Sequence, residues 1–184
     1  MLVIISQLDL AVSDRRWLEE IRRRHDPQHA MVAAHFTLVF PFGGLRPDEV
    51  LEHASAVAST TSPINFRLAA AKAVQDALTP RNLVFLVPDE GASEIRALHG
   101  RLYSDVLAAK LRADIPYEPH VTVGAFSAHA EAERAASDIG AISVDGWLST
   151  LDLAEFDGRK IAFLHRLRLS DTGRQRRAAR RRKN

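Results

Sequence analysis

HFTLVFPF, residues 35–42, and PHVTVGAF, residues 119–126, carry one pattern: histidine, an aromatic or aliphatic residue, threonine, then an aliphatic residue. Both stretches are rich in β-branched or aromatic side chains, which suit a half-buried pleated surface. In a strand, residues two apart share a face. His35 and Thr37 therefore project together while Phe36 and Leu38 anchor the opposite face, and His120 and Thr122 stand in the same relation to Val121 and Val123. Two such strands facing across a cleft would offer two imidazoles and two hydroxyls to one anion. An imidazole titrates near neutrality, so one can serve as base and the other as acid. The threonines can donate hydrogen bonds to phosphoryl oxygens and stabilise the charge that develops there.

Outward from these strands, Val3 to Leu10 reads as a strand. Ser13 and Asp14 read as caps of a helix to His25, with Trp17, Leu18 and Ile21 on one face and Asp26-Pro27 ending it. Pro47 opens a helix through Ala58. Ile64 to Val74 and Asn82 to Val87 read as strands joined by a turn at residues 79–82. Ser93 to Leu111 reads as one amphipathic helix with Ile95, Leu98, Leu102, Val106 and Leu107 inward. Ala130 to Ile139 is a short helix, and Val144 to Glu155 with Lys160 to Leu169 forms a closing hairpin around Asp157-Gly158. Strands and helices mix without a repeating βαβ unit, which points to an α+β fold with antiparallel strands. The recurring motif, each copy ahead of a helix, is compatible with an internal duplication, although the rest of the two halves does not align.

The 184 residues include no cysteine, which excludes disulfides, a thiol nucleophile and cysteine-ligated metals. His25 and His29 are four apart, but Asp26-Pro27 breaks the helix that such a pair of ligands would need. Gly43-Gly44 is a turn and not a phosphate loop, because no Gly-Lys-Ser/Thr follows. Neither metal nor cofactor is expected. The first ten residues lack a basic leader pattern, and no apolar run approaches the ~20 residues of a membrane span. A cytoplasmic protein without membrane contact is expected.

The formal net charge is +2, yet seven basic residues between Arg174 and Lys183 supply it, and the remainder is acidic. The expected organisation is one domain, or two small fused lobes, over residues 1–173 and a basic tail over 174–184. Such a tail can hold RNA phosphates independently of sequence; a solvated extension is the competing reading. Phe42 and Phe126 follow the two motifs and could stack on a base, although core packing is the ordinary fate of phenylalanine. Tyr117 precedes the second motif and is expected to line the cleft. Arg81 and Arg159 sit in turns and could reach a phosphate, although exposed arginines are common.

The paired motifs resemble the signature of the 2H phosphoesterases, the superfamily of 2′-5′ RNA ligases and cyclic phosphodiesterases. The resemblance implies a bilobal, pseudo-two-fold fold with two mainly antiparallel sheets, flanking helices and a central cleft, with one motif on a central strand of each lobe. It implies metal-free hydrolysis or transfer at cyclic or 2′-linked ribose phosphates of a nucleotide or RNA end. His35, Thr37, His120 and Thr122 match the family's functional positions. One histidine would activate water or a hydroxyl and the other would protonate the leaving ribose oxygen; near-symmetric motifs leave the assignment open. The rival is a non-catalytic RNA- or nucleotide-binding protein using the anion pocket and the tail. It accounts for the tail better and for the histidines worse, since arginine or lysine would serve phosphate binding as well. A monomer is expected.

Overall fold

The structure, a computed structural model, describes residues 1–77 and 79–170. The basic stretch Arg174 to Asn184 lies outside the described residues. In chain order come β1 (Leu2–Gln7), β2 (Asp9–Leu10), α1 (Val12–His25), β3 (His35–Phe42), α2 (Pro47–Ser59), β4 (Ile64–Gln75) and β5 (Asn82–Glu90). Then follow α3 (Ala92–Leu102), a 3-10 helix (Asp105–Lys110), β6 (Val121–Phe126), α4 (His129–Ile139), β7 (Val144–Leu148), β8 (Thr150–Phe156) and β9 (Ile161–Arg168). One sheet has the order β3-β1-β8-β9 and the other β2-β7-β4-β5-β6. All their pairings are antiparallel. The protein is thus α+β with two antiparallel sheets and flanking helices.

Two stretches that read as single strands are each divided between the sheets. Val3 to Leu10 becomes β1 and β2 on either side of Leu8, and Val144 to Glu155 becomes β7 and β8 on either side of Ser149. Apolar residues flank both crossings, because the chain leaves one packed surface and joins another, and polar residues occupy the crossings themselves. The expected helix from Ser93 to Leu111 ends at Leu102, and the following turn is 3-10. Val106, expected inward, is 41% exposed, because the break at Tyr103-Ser104 resets the helical face. Helix α1 begins at Val12, so Ser13 and Asp14 lie inside its first turn and do not cap it.

The motif strands differ from expectation in one respect that matters. Neither is central: β3 is an edge of the four-stranded sheet and β6 an edge of the five-stranded sheet. The two edges pack beside each other, which brings the motifs together. Behind them lies a continuous core containing Phe36, Leu38, Val121 and Val123, joined by Leu18 of α1, Val50 of α2, Leu98 of α3 and Ala132 of α4. Phe36 is fully buried and meets Phe66 edge-on at 5.1 Å. Burial of such a ring contributes about 2–3 kcal/mol. A smaller cluster of Val3, Ile5, Val32 and Ala154 lies apart from that core. Ile5 stands opposite Thr37 in the β1–β3 register, so this cluster belongs to the motif face.

Candidate active site

Alternation puts His35 and Thr37 on the face of β3 away from Phe36 and Leu38, as the burial pattern shows. In β6, Val121 and Val123 are buried and Thr122 stays partly exposed. His35 and His120 are each partly exposed at the residue level. The two imidazoles are tethered alike. His35 Nδ1 lies 2.9 Å from the Ala33 carbonyl oxygen, and His120 Nδ1 lies 2.6 Å from that of Glu118. A carbonyl only accepts, so in both rings Nδ1 carries the hydrogen and donates it. The neutral rings therefore share a tautomer with an unprotonated Nε2.

Burial is the largest influence on both rings and pushes each pKa below the ordinary 6.5; the carbonyl bond works against it in both. The remaining neighbours differ. Arg22 lowers and Asp26 raises the His35 pKa, and His120 lowers it by a smaller amount. Around His120 the neighbours are carboxylates, Glu118 and Asp76, and both raise its pKa. Glu118 is held by Lys72, Nζ to Oε1 2.6 Å. The His120 ring also lies flat on Phe85, centroids 3.6 Å apart and planes 15° apart. Phe85 is Thr122's partner across the β5–β6 register, and Lys72 is the next residue of that row on β4.

A buried ionic cluster backs His35. Arg22, 1% exposed, reaches Asp26 at 2.9 Å, Glu19 at 2.8 Å and the Val32 carbonyl at 2.8 Å. Glu19 in turn accepts the Ala34 N–H at 2.7 Å. The backbone that orients the ring is therefore gripped on both sides of Ala33. Among the described residues, the Thr37 and Thr122 hydroxyls make no hydrogen bond to protein, so both remain free to donate. No three His, Asp or Glu side chains among the described residues converge as a metal-binding group. No helix among them is long and apolar enough to cross a membrane.

The other sequence candidates divide. Tyr117 stacks on His99, centroids 3.6 Å apart and planes 4° apart, and donates its hydroxyl to the Thr37 carbonyl at 3.1 Å. It straps the chain before His120 to the strand of the first motif, and burial raises its pKa well above the usual tyrosine value. Phe42 is 8% exposed and lies in the main core, with Leu2 opposite, where core packing leaves it little surface to offer a base. Phe126 packs on His25, centroids 5.5 Å apart. It lines a cavity of about 370 Å³ with Trp17, Ile21, Val84 and Val123, behind β6 rather than on the Thr122 face. A bulge between Val84 and Phe85 separates the end of β6 from the register of Thr122. Phe85, Lys72, Glu118 and the Arg22 cluster were not singled out from the sequence. Phe85 is named only by cross-strand register, and the Glu19–Arg22–Asp26 spacing looks like ordinary surface pairing on a helix.

This is a two-sheet α+β protein with a pair of matched His-x-Thr edge strands. Residues 10–168 match the 2′-5′ RNA ligase superfamily, and the chain belongs to that family. Two curated relatives carry the name "Putative phosphoesterase". The Bacillus pumilus protein is 35% identical over 104 residues, covering 55% of this chain and 57% of its own. The Bacillus licheniformis protein is 30% identical over 105 residues, covering 55% and 58%. The chain thus spans a little over half the length of the curated relatives it matches. Escherichia coli LigT without ligand superimposes with a TM-score of 0.54 at 21% identity, over 92% of this chain and 96% of LigT. Its complex with 3′-AMP gives 0.53 at 21% identity, over 92% and 97%. That likeness is one of fold.

Proposed function

We propose that this chain is a metal-independent phosphoesterase that opens 2′,3′-cyclic phosphates or cleaves 2′-5′ linkages at nucleotide or RNA ends, with His35 and His120 as its acid and base. The observation that carries the reading is the matched tether. Two imidazoles on adjoining sheet edges have the same tautomer and leave Nε2 available, each with a threonine hydroxyl two residues on. In hydrolysis of a cyclic phosphate, one neutral Nε2 takes a proton from water as its oxygen bonds to phosphorus. The bond from phosphorus to one ribose oxygen breaks, and the other histidine, protonated at Nε2, gives that oxygen its proton. Thr37 and Thr122 donate to the phosphoryl oxygens as charge builds on them. The product is a phosphate monoester, and proton exchange with water restores the starting states. LigT, which shares the fold, has been crystallised with 3′-AMP, ATP, NADP+ and phosphate. These ligands are all phosphates, as the reading requires.

The test is turnover of nucleoside 2′,3′-cyclic phosphates and 2′-5′-linked dinucleotides with EDTA present, products resolved by chromatography. Monoester formation unaffected by EDTA is the expected result. Nucleotide binding without turnover of any of these substrates would replace this reading with a non-catalytic nucleotide-binding one.

A further inference from the structure

The motif face of the four-stranded sheet does not stop at His35. Register carries it across the sheet: Thr37 stands opposite Ile5, Ile5 opposite Asp152, and Asp152 opposite Arg166. The next row runs Val3, Ala154, Phe163. Neighbouring strands are about 4.8 Å apart, so Arg166 lies about 14 Å from Thr37 on the same face of the sheet. Between them the face is buried, because Val32 of the loop before β3 packs on Val3, Ile5 and Ala154, so a strand joining the two ends passes over that loop. At its far edge β9 turns polar and open. Phe163 is 46% exposed, and Arg166 and Arg168 are both exposed.

Arg166 is held in place. Asp152 is 1% exposed, and its carboxylate takes the guanidinium at 2.6 Å through Nε and 3.2 Å through Nη2. A buried carboxylate needs a partner, and this one fixes an arginine whose side chain is 56% exposed and whose Nη1 has no protein partner among the described residues. An ordered, outward arginine beside an open aromatic ring is the arrangement that holds single-stranded nucleic acid, with the guanidinium on phosphate and a base on the ring. The other sheet has an exposed aromatic too, Trp147, but acids surround it. Its register neighbourhood holds Asp9 and Asp145, and the nearby Arg67 is tied to Asp89 and Glu90. Charge favours the β9 edge alone.

We infer that β9 forms a second nucleotide subsite, with Phe163 stacking a base and Arg166 and Arg168 holding a phosphate of a single strand whose terminus lies at His35 and His120. The substrate class is then an oligonucleotide end and not a free mononucleotide. This rests on the proposed function for the position of the terminus.

The experiment compares kcat/KM for a nucleoside 2′,3′-cyclic phosphate with that for RNA oligomers of two to six nucleotides ending in the same group. The ratio between substrates cancels any folding loss common to both. Wild type should favour the oligomers by roughly tenfold or more, with the rise appearing once the strand reaches β9. Phe163→Ala should remove most of that preference. So should Asp152→Asn combined with Arg166→Gln, a pair that strands no buried charge. Arg15→Gln on exposed α1 is the control. In parallel, anisotropy of a fluorescent hexanucleotide against salt should lose about 0.7 of log–log slope per phosphate contact removed. Equal kcat/KM for all lengths, with both variants unchanged in binding slope, would overturn the subsite. Absent turnover together with a slope that falls in the Arg166 variant would retain the subsite and overturn the enzyme reading.

Discussion

His35 and His120 each donate Nδ1–H to the carbonyl two residues back, yet what stands behind each ring differs. His35 rests against a buried ionic cluster of Arg22, Glu19 and Asp26 reached through the loop at 32–34. His120 rests on the flat face of Phe85 beside the exposed Lys72–Glu118 pair. The motif fixes the tautomer, and the surroundings break the symmetry. Carboxylates near His120 favour its protonated form, whereas Arg22 and the second imidazole disfavour protonation of His35 and only Asp26 among the charged neighbours favours it. We propose from this difference that His120 is the acid and His35 the base.

The largest effects test whether both halves are needed. His35→Ala and His120→Ala should each lower kcat/KM by roughly 10²–10⁴-fold. The double variant should fall little further, because both groups serve one transition state. An additive loss would mean two independent sites. Thr37→Ala and Thr122→Ala should cost about ten- to a hundredfold, the worth of one hydrogen bond to a charged oxygen, and steady-state kinetics should show the loss mainly in kcat.

Smaller effects should separate the two halves. Because burial lowers both histidine pKa values, kcat/KM should peak below about pH 6.5 and decline on both sides. Glu118→Gln removes a charge that favours protonated His120, so the alkaline limb should move to lower pH while the acid limb stays. Glu19→Gln should disturb only the acid limb, through the Ala34 backbone. A shift of the opposite limb in either variant would reverse the assignment.

The smallest effect is on stability. His35, His99 and His120 are all held below the ordinary 6.5. The unfolded chain therefore takes up protons before the folded one does. Their contribution is complete above about pH 6.5 and is lost as pH falls through the window beneath it. Urea midpoints at pH 7.5 and 5.5 should show the drop, and replacing His35 and His120 together by asparagine should reduce it.

Much of the site is legible in the sequence, because a two-residue period decides which face His35, Thr37, His120 and Thr122 occupy. The same rule stops at bulges and sheet edges. Phe42 joins the core beyond the shift in the β1–β3 register, and Phe126 ends behind β6 beyond the one near Phe85. Which strands are edges depends on partners far along the chain, so β3 and β6 read as central when they are not. The crossings at Leu8 and Ser149 fall among polar residues, Ser6, Gln7 and Asp9 at the first and Ser149 and Thr150 at the second, which read equally well as solvent-facing positions of one strand. Arg22 looks like one more cation on a helix with the run Arg22, Arg23 and Arg24; only the fold shows that it is buried and the other two are exposed.

The central claim is that both Nε2 atoms address a single phosphoryl group. Nitrogen-15 NMR of the histidine-labelled protein, titrated with 3′-AMP at constant pH, tests it most directly. The account predicts that His35 and His120 both start as Nδ1–H tautomers and that both Nε2 signals move together with one dissociation constant. A response from only one ring, or two different constants, would contradict it.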